Sequence, residues 1–352
     1  MNQNGSFDSA KYILYKKGLK SLYKLKNIIS PLPKISTCIH LFNHIVKPVL
    51  MYSSEVWSYS VFGENNFKRI TTENLEKLYN HRTSPLEKVA LKFYKALLHL
   101  PPKTSNTAPY GELGVYPLYI DCISRTLKYW YFIENKSSNI LLKEALDCDK
   151  DMHNKGIYTW FSFINNIMTM SKLSVKSGYT PSIKDIKLIK NKLQKRYVKY
   201  WINTIKGVSE KDTGNSKKLR TYSLFKTHFN TEKYLSVIKN REWKTCLTKF
   251  RLSAHNLMIE TGRHYNMKVE DRLCKHCDSS KIEDEKHFLL ECAKYDALRQ
   301  NMMQKLYTHC PKFNQLNQTD QLCWIMSCTE NDIIYALAEY LFKATESINA
   351  PS

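Results

Sequence analysis

Apolar residues recur at three- and four-residue steps through most of the chain, and Gly and Pro gather in a few clusters, so the pattern predicts a mainly α-helical protein. Tyr12, Tyr15, Leu19, Leu22 and Leu25, with Ile29, mark one face of a first helix. A second is expected over 35–46, ended by Pro48. Pro85 opens another, in which Leu86, Val89, Ala90, Phe93, Ala96, Leu97 and Leu100 form a stripe that Pro101 and Pro102 stop. Residues 103–117, with Pro109, Gly111 and Gly114, read as a turn-rich connector. Further helices are expected over 118–133, 160–170, 181–205 and 235–252.

The segment 206–218, rich in Gly, Ser, Asn and Lys, is the best candidate linker. It would part a helical body over 1–205 from a helical C-terminal region over 219–352. With 352 residues and 43% hydrophobic content, both can hold cores. No run approaches the roughly 18 apolar residues of a bilayer span. Residues 1–6 lack the charged-then-apolar order of a secretory signal, and an intracellular protein of cytoplasm or nucleus is expected.

Charge alters the picture more than size does. Lys and Arg number 54 against 32 Asp and Glu, a formal net charge of +22, which favours a polyanionic partner: RNA or DNA ahead of an anionic membrane face. Before Cys274 basic residues outnumber acidic ones 46 to 21, and from Cys274 onward the ratio is 8 to 11. On the helix expected over 181–205, Ile186, Ile189, Leu193, Tyr197, Tyr200 or Trp201, and Ile205 form the inward stripe. Lys187, Lys190, Lys195, Arg196 and Lys199 cover the outward face, and so dense a like-charged face is expected to meet phosphates. Arg251, Arg263 and Arg272 make a second basic cluster, also expected to contact nucleic acid.

One place holds side chains at metal-ligand spacing. Cys274, Cys277, His287 and Cys292 form C-x2-C-x9-H-x4-C, which reads as a closed, tetrahedral, structural Zn2+ site within a small module over about 273–299. In an α-helix, residues five apart lie about 140° apart. His287 and Cys292 therefore require a break near Cys292, with a new helix after it. Glu283, Asp284 and Glu285 read as the first turn of the helix that carries His287, or as supports for the metal ligands. His255 and His264 are expected to be satisfied histidines rather than ligands. The other seven cysteines read as mostly buried, reduced residues.

Active-site patterns fall short. Tyr119-Ile120-Asp121-Cys122 resembles a polymerase Tyr-x-Asp-Asp, but one carboxylate cannot clamp two magnesium ions. The acidic run 147–151 opens like a calcium loop, yet Met152 and Tyr158 stand where Gly and Glu are needed, and a polar loop is expected. There is no G-x-S-x-G, phosphate-cradling glycine loop or H-E-x-x-H. No catalytic residues are expected.

In order along the chain, 250–263 (FRLSAHNLMIETGR), 273–277 (LCKHC) and 283–299 (EDEKHFLLECAKYDALR) resemble the C-terminal zinc-binding region of non-LTR (LINE-type) retrotransposon reverse transcriptases. Residues 41–57 (LFNHIVKPVLMYSSEVW) resemble the segment after the polymerase palm, and 110–118 (YGELGVYPL) a later loop, so nearly the whole chain is covered. Ser53 stands where Gly is commoner in that family, and Ala293 where Pro is common. The resemblance implies a thumb-like and zinc-binding tail, with the catalytic fingers and palm upstream of the matched region. It implies that the tail grips template RNA, primer or target DNA, and that the upstream polymerase region is a possible partner. A zinc-braced protein-interaction module is the alternative, its apolar face Ile333, Ile334, Leu337, Tyr340 and Leu341 docking a partner helix.

Overall fold

A computed structural model describes residues 7–29, 34–60, 84–172, 181–207 and 218–349. In chain order its helices are α1 (Asp8–Ile29), α2 (Ile35–Leu41), α3 (Lys47–Leu50), α4 (Ser54–Trp57), α5 (Pro85–Leu97), α6 (Ala108–Leu113), α7 (Leu118–Asn135), α8 (Ile140–Asn154), α9 (Trp160–Met170), α10 (Ile183–Lys206), α11 (Tyr222–Phe225), α12 (Tyr234–Val237), α13 (Arg241–Arg251), α14 (Met258–Thr261), α15 (Asp296–His309), α16 (Gln318–Ser327) and α17 (Asn331–Asn349). Among the described residues the fold is mainly helical and has no strand. No described helix is long and apolar enough to cross a membrane.

Local chemistry sets many of the boundaries. The side chains of Asn139, Asn240 and Asn317 accept backbone N–H groups at the starts of α8, α13 and α16, and Thr159 and Ser162 close a capping box on α9. Pro48 does not end its helix as expected. The chain widens into a π-turn over Phe42–Val46, and Pro48 falls in the first turn of α3, where a missing N–H costs nothing. The acidic run 147–151 is helix rather than loop. It lies within α8, and Asp149 Oδ2 accepts the Phe161 N–H at 2.6 Å, which charges the start of α9 favourably. The helix expected over 235–252 is two, α12 and α13, parted where Ile238 turns extended and Asn240 caps.

The chain divides into two compact units, the first drawn from Met1–Leu32, Ser36–Phe93 and Tyr116–Tyr200, the second from Pro33–Ile35, Tyr94–Val115 and Trp201–Ser352. Most of the linker expected at 206–218 lies outside the described residues. In the first unit α1 packs on α3, with Gly18 against Leu50 so closely that any Cβ would collide. There too α4 packs on α7, and α8 on α9.

In the second unit α17 is the central helix, packed by α13 and α15. Ile333, Ile334, Leu337, Tyr340 and Leu341 are all buried in it, so the apolar face assigned to a partner helix is core. The expected connector over 103–117 contributes α6, buried from end to end. Gly111 lies against the Trp201 ring with no room for a side chain, and Gly114 takes φ +63° with the Thr231 backbone N where a Cβ would stand 2.6 Å away. Glu112, between them, pairs with Arg251, which explains why 94–115 groups with the C-terminal residues.

Candidate metal centre

The ligating segment begins as a narrow hairpin. Cys274 N–H donates to the Lys281 carbonyl at 2.8 Å, and Leu273 bridges Ile282, which brings both ends of the C-x2-C loop together. The His276 N–H points at Cys274 Sγ, 3.4 Å away. Asp284 Oδ1 then accepts the His287 N–H at 2.9 Å and caps the next turn. Glu283 and Glu285, expected as acids of that first helical turn, instead fold inward. Glu283 accepts the Met258 N–H at 2.7 Å, and Glu285 binds Arg220 at 2.7 Å and His255 Nε2 at 3.1 Å. His255 is thus engaged by an acid, whereas His264 is exposed.

The five-residue step from His287 to Cys292 is bridged in a way that α-helical spacing does not suggest. His287–Glu291 is a π-turn, closed by Cys292 N–H donating to the His287 carbonyl at 2.8 Å, and that wider turn stacks residue i+5 over residue i. Cys292 then leaves helical geometry (φ −59°, ψ 118°), a 3-10 turn follows over Ala293–Tyr295, and α15 begins at Asp296. Arg299 ties off the orphan carbonyls, with Nε on Leu289 O at 2.9 Å and Nη2 on Cys292 O at 2.8 Å. Beneath the turn Phe288 meets Tyr295 at 4.9 Å between ring centroids, and Tyr340 donates its hydroxyl to the Phe288 carbonyl.

As a result, the donor atoms of Cys274, Cys277, His287 and Cys292 all lie within 4.8 Å of one another. Cys274 Sγ and Cys292 Sγ are 3.9 Å apart, and Cys277 Sγ and His287 Nε2 3.3 Å. Zinc–thiolate and zinc–imidazole bonds in a tetrahedron set these separations at about 3.8 and 3.6 Å. The donor set and spacing therefore fit a closed zinc shell. Glu291, unnoticed in the sequence, is the residue behind the histidine. Its Oε2 meets His287 Nδ1 at 3.3 Å and Lys281 Nζ at 3.0 Å, leaving Nε2 toward the thiols. The i, i+4 spacing from His287 is the signal that could have found it. Burial pushes the Cys292 thiol up to about 12 and raises that of Cys274, while hydrogen bonds from Ser279 bring Cys277 down to about 6. Two of the three sulfurs thus resist becoming anions unless a cation joins them.

The basic residues divide sharply. On α10, Lys187, Lys195 and Lys199 are exposed. Lys190 is ion-paired to Asp121 at 2.6 Å, and Arg196 donates to the Met170 carbonyl at 2.8 Å. Asp121, the acid of the polymerase-like tetrapeptide, also accepts from Lys47. Although burial acts to raise its pKa, the Lys47 and Lys190 ammonium groups hold its carboxyl below the usual range.

Two arginines expected at a nucleic-acid surface are inside the fold. The Arg251 guanidinium is clamped by Glu112 at 2.6 Å, Glu232 at 2.8 Å and the Met326 carbonyl, between the rings of Phe225 and Tyr234. Arg272 donates to the Ile259 and Met267 carbonyls, both at 2.8 Å, and locks the turns that precede Cys274. A guanidinium presents several donors in one plane, so it closes off buried acceptors well, and that use withdraws both residues from solvent. Arg263 is half-buried and paired to Glu260 at 3.0 Å. A cavity of about 220 Å³ beside Arg251 is lined in part by Lys226, Glu232 and Cys328, and Glu232 pairs with both Lys226 and Arg251.

Outside the cluster Cys38 and Cys122 are buried as expected, but Cys148 is exposed and Cys246, Cys310, Cys323 and Cys328 are half-buried. His309, Glu330 and Asp332 form a second group of donor atoms within reach of one another, all exposed, with His309 Nε2 on Asp332 at 2.7 Å. The two acids stand at the start of α17, where negative charge is favourable without any ion. No family model, curated protein or solved structure matches the chain.

Proposed function

We propose that the chain is a non-catalytic nucleic-acid-binding protein braced by one structural zinc ion, related to the post-palm thumb and zinc-binding region of non-LTR retrotransposon reverse transcriptases. Cys274, Cys277, His287 and Cys292 hold the zinc, which supplies a cross-link between the C-x2-C hairpin and the π-turn and leaves no position for substrate. The zinc keeps the surrounding turns folded; the lysine surface binds phosphate.

The observation that carries the nucleic-acid reading is the outward face of α10. Lys187, Lys195 and Lys199 are exposed, in a chain with a formal surplus of 22 positive charges, and Asp185, the helix's one acid, is hydrogen-bonded to Ser182 at its start. Phosphate neutralisation releases counterions, so three such contacts weaken binding about 40-fold between 50 and 200 mM salt. Anisotropy titrations of labelled RNA and DNA against salt test this. The triple charge reversal Lys187→Glu, Lys195→Glu, Lys199→Glu is expected to lower affinity for all sequences alike and to flatten the salt dependence. A loss confined to one sequence, or no binding by the unaltered chain at low salt, overturns the reading.

A further inference from the structure

Helix α1 carries a second cationic face, distinct in composition from that of α10. Lys16, Lys17, Lys20 and Lys24 are exposed along it, while Leu14, Gly18, Leu22 and Leu25 on the opposite side are buried. Its one acid, Asp8, sits at the start and is paired with Lys11 at 3.0 Å. Lys88 and Lys92 of α5 are exposed as well, and Lys92 is held beside α1 by donating to the Tyr23 hydroxyl at 2.7 Å. Among the described residues, no carboxylate is paired with any of these six lysines.

Two phenol rings stand on the same face. Tyr12 is 53% and Tyr23 51% exposed, so part of each ring is open to solvent. They are eleven residues apart, hence about 16 Å along the axis and about 20° apart around it. Lys16 and Lys20 fall between them in the sequence. A cation lies over a face of each ring, Lys16 Nζ 4.5 Å from the Tyr12 centroid and Lys92 Nζ 4.8 Å from that of Tyr23. Tyr12 also lies near-parallel to Tyr15 at 6.2 Å between centroids, so a base would stack on the exposed remainder of each ring.

We infer that this α1–α5 face is a binding track for single-stranded nucleic acid, in which Tyr12 and Tyr23 stack on bases and the lysines around them meet the backbone. The inference rests on the nucleic-acid reading above and adds strandedness to it. Alternation of ring faces with cations is what an unpaired strand requires, because its bases have free π-faces and its phosphates are close by. A duplex has phosphates but keeps its base faces stacked, so it gains from the lysines and not from the tyrosines. An anionic membrane is disfavoured because the apolar side of α1 is already buried, and its exposed aliphatic side chains, Ile13 and Ile28, are fifteen residues apart.

The test compares the full chain with its Tyr12→Leu, Tyr23→Leu double variant on three probes: oligouridine, an RNA duplex and vesicles containing phosphatidylserine. Both rings are exposed, and circular dichroism checks that the variant keeps its helices. The expected result is a loss of about tenfold or more on oligouridine, little change on the duplex, and recovery by Tyr12→Phe, Tyr23→Phe, which keeps the rings. Photo-crosslinking of iodouridine oligonucleotides is expected to label Tyr12 or Tyr23. Unchanged oligouridine affinity, an equal loss on both nucleic acids, or retention on vesicles alone overturns the track. If the unaltered chain binds oligouridine and duplex but the leucine variant does so equally well, the track alone fails. If the unaltered chain binds neither, the general reading fails with it.

Discussion

In the second unit Arg220, Arg251, Arg272 and Arg299 turn inward onto carboxylates and carbonyls, whereas in the first unit Lys16, Lys17, Lys20, Lys24, Lys187, Lys195 and Lys199 stand in solvent. Both groups add to the same formal charge, yet their physical roles are opposite. A guanidinium can satisfy several buried acceptors at once, while an ammonium on a flexible stem stays hydrated and available. Charge counted along a sequence therefore overstates the surface field near the metal cluster and describes the lysine-rich helices more faithfully.

The largest effect on this contrast is expected at the candidate metal centre. Cys277→Ala or His287→Ala removes a ligand whose binding is coupled to folding, so about 273–299 should lose its hydrogen-exchange protection while α1 and α7 keep theirs. Uniform protection in either variant contradicts the zinc assignment. Next comes the Arg251 clamp. Glu112→Ala takes one of two carboxylates from a buried guanidinium and is expected to cost about 3 kcal/mol in chemical denaturation, against about 0.5 kcal/mol or less for Lys195→Ala. Equal costs at the two sites would abolish the inside-outside distinction.

Acid should act on the inward set. Burial works against the charge of Glu285, yet His255 and Arg220 outweigh it and hold the carboxyl at about 2, below its ordinary 4.5. Its contribution is accordingly complete above pH 4.5 and disappears as pH falls toward 2, on the order of 3 kcal/mol. The acid unfolding of Glu285→Gln is compared with that of the unaltered chain, both after the same chelator treatment. A parallel decline in the two proteins would show that the carboxylate carries no such share.

The smallest effect concerns a single backbone angle. Ser53 adopts φ +53°, a left-handed conformation that costs a side-chain-bearing residue roughly 1–2 kcal/mol. Ser53→Gly is expected to raise stability by about 1 kcal/mol, read as a shift in denaturation midpoint. A fall would mean that the serine makes a contact worth more than the strain.

Periodicity carried most of the helices. The run 160–170 lies on α9 end to end, α7 runs two residues past the expected segment, and α10 starts two residues later and ends one later than expected. Misplacements arose where tertiary partners decide. Pro48 is accommodated by a π-turn that no local pattern announces, and 103–117 contains a buried helix because Glu112 has a distant arginine to meet. At the candidate site, ligand spacing named all four donors, since metal geometry constrains sequence directly. The expected break at Cys292 is present, but the π-turn that solves the five-residue step and the carboxylate of Glu291 behind His287 emerge only in three dimensions. Arg251 and Arg272 went astray because their acceptors lie elsewhere in the chain, one of them 139 residues away.

The most direct test of the central claim is the metal content of the purified chain, measured by plasma mass spectrometry after exhaustive dialysis. A single zinc ion per polypeptide is predicted; a folded chain free of metal would contradict it.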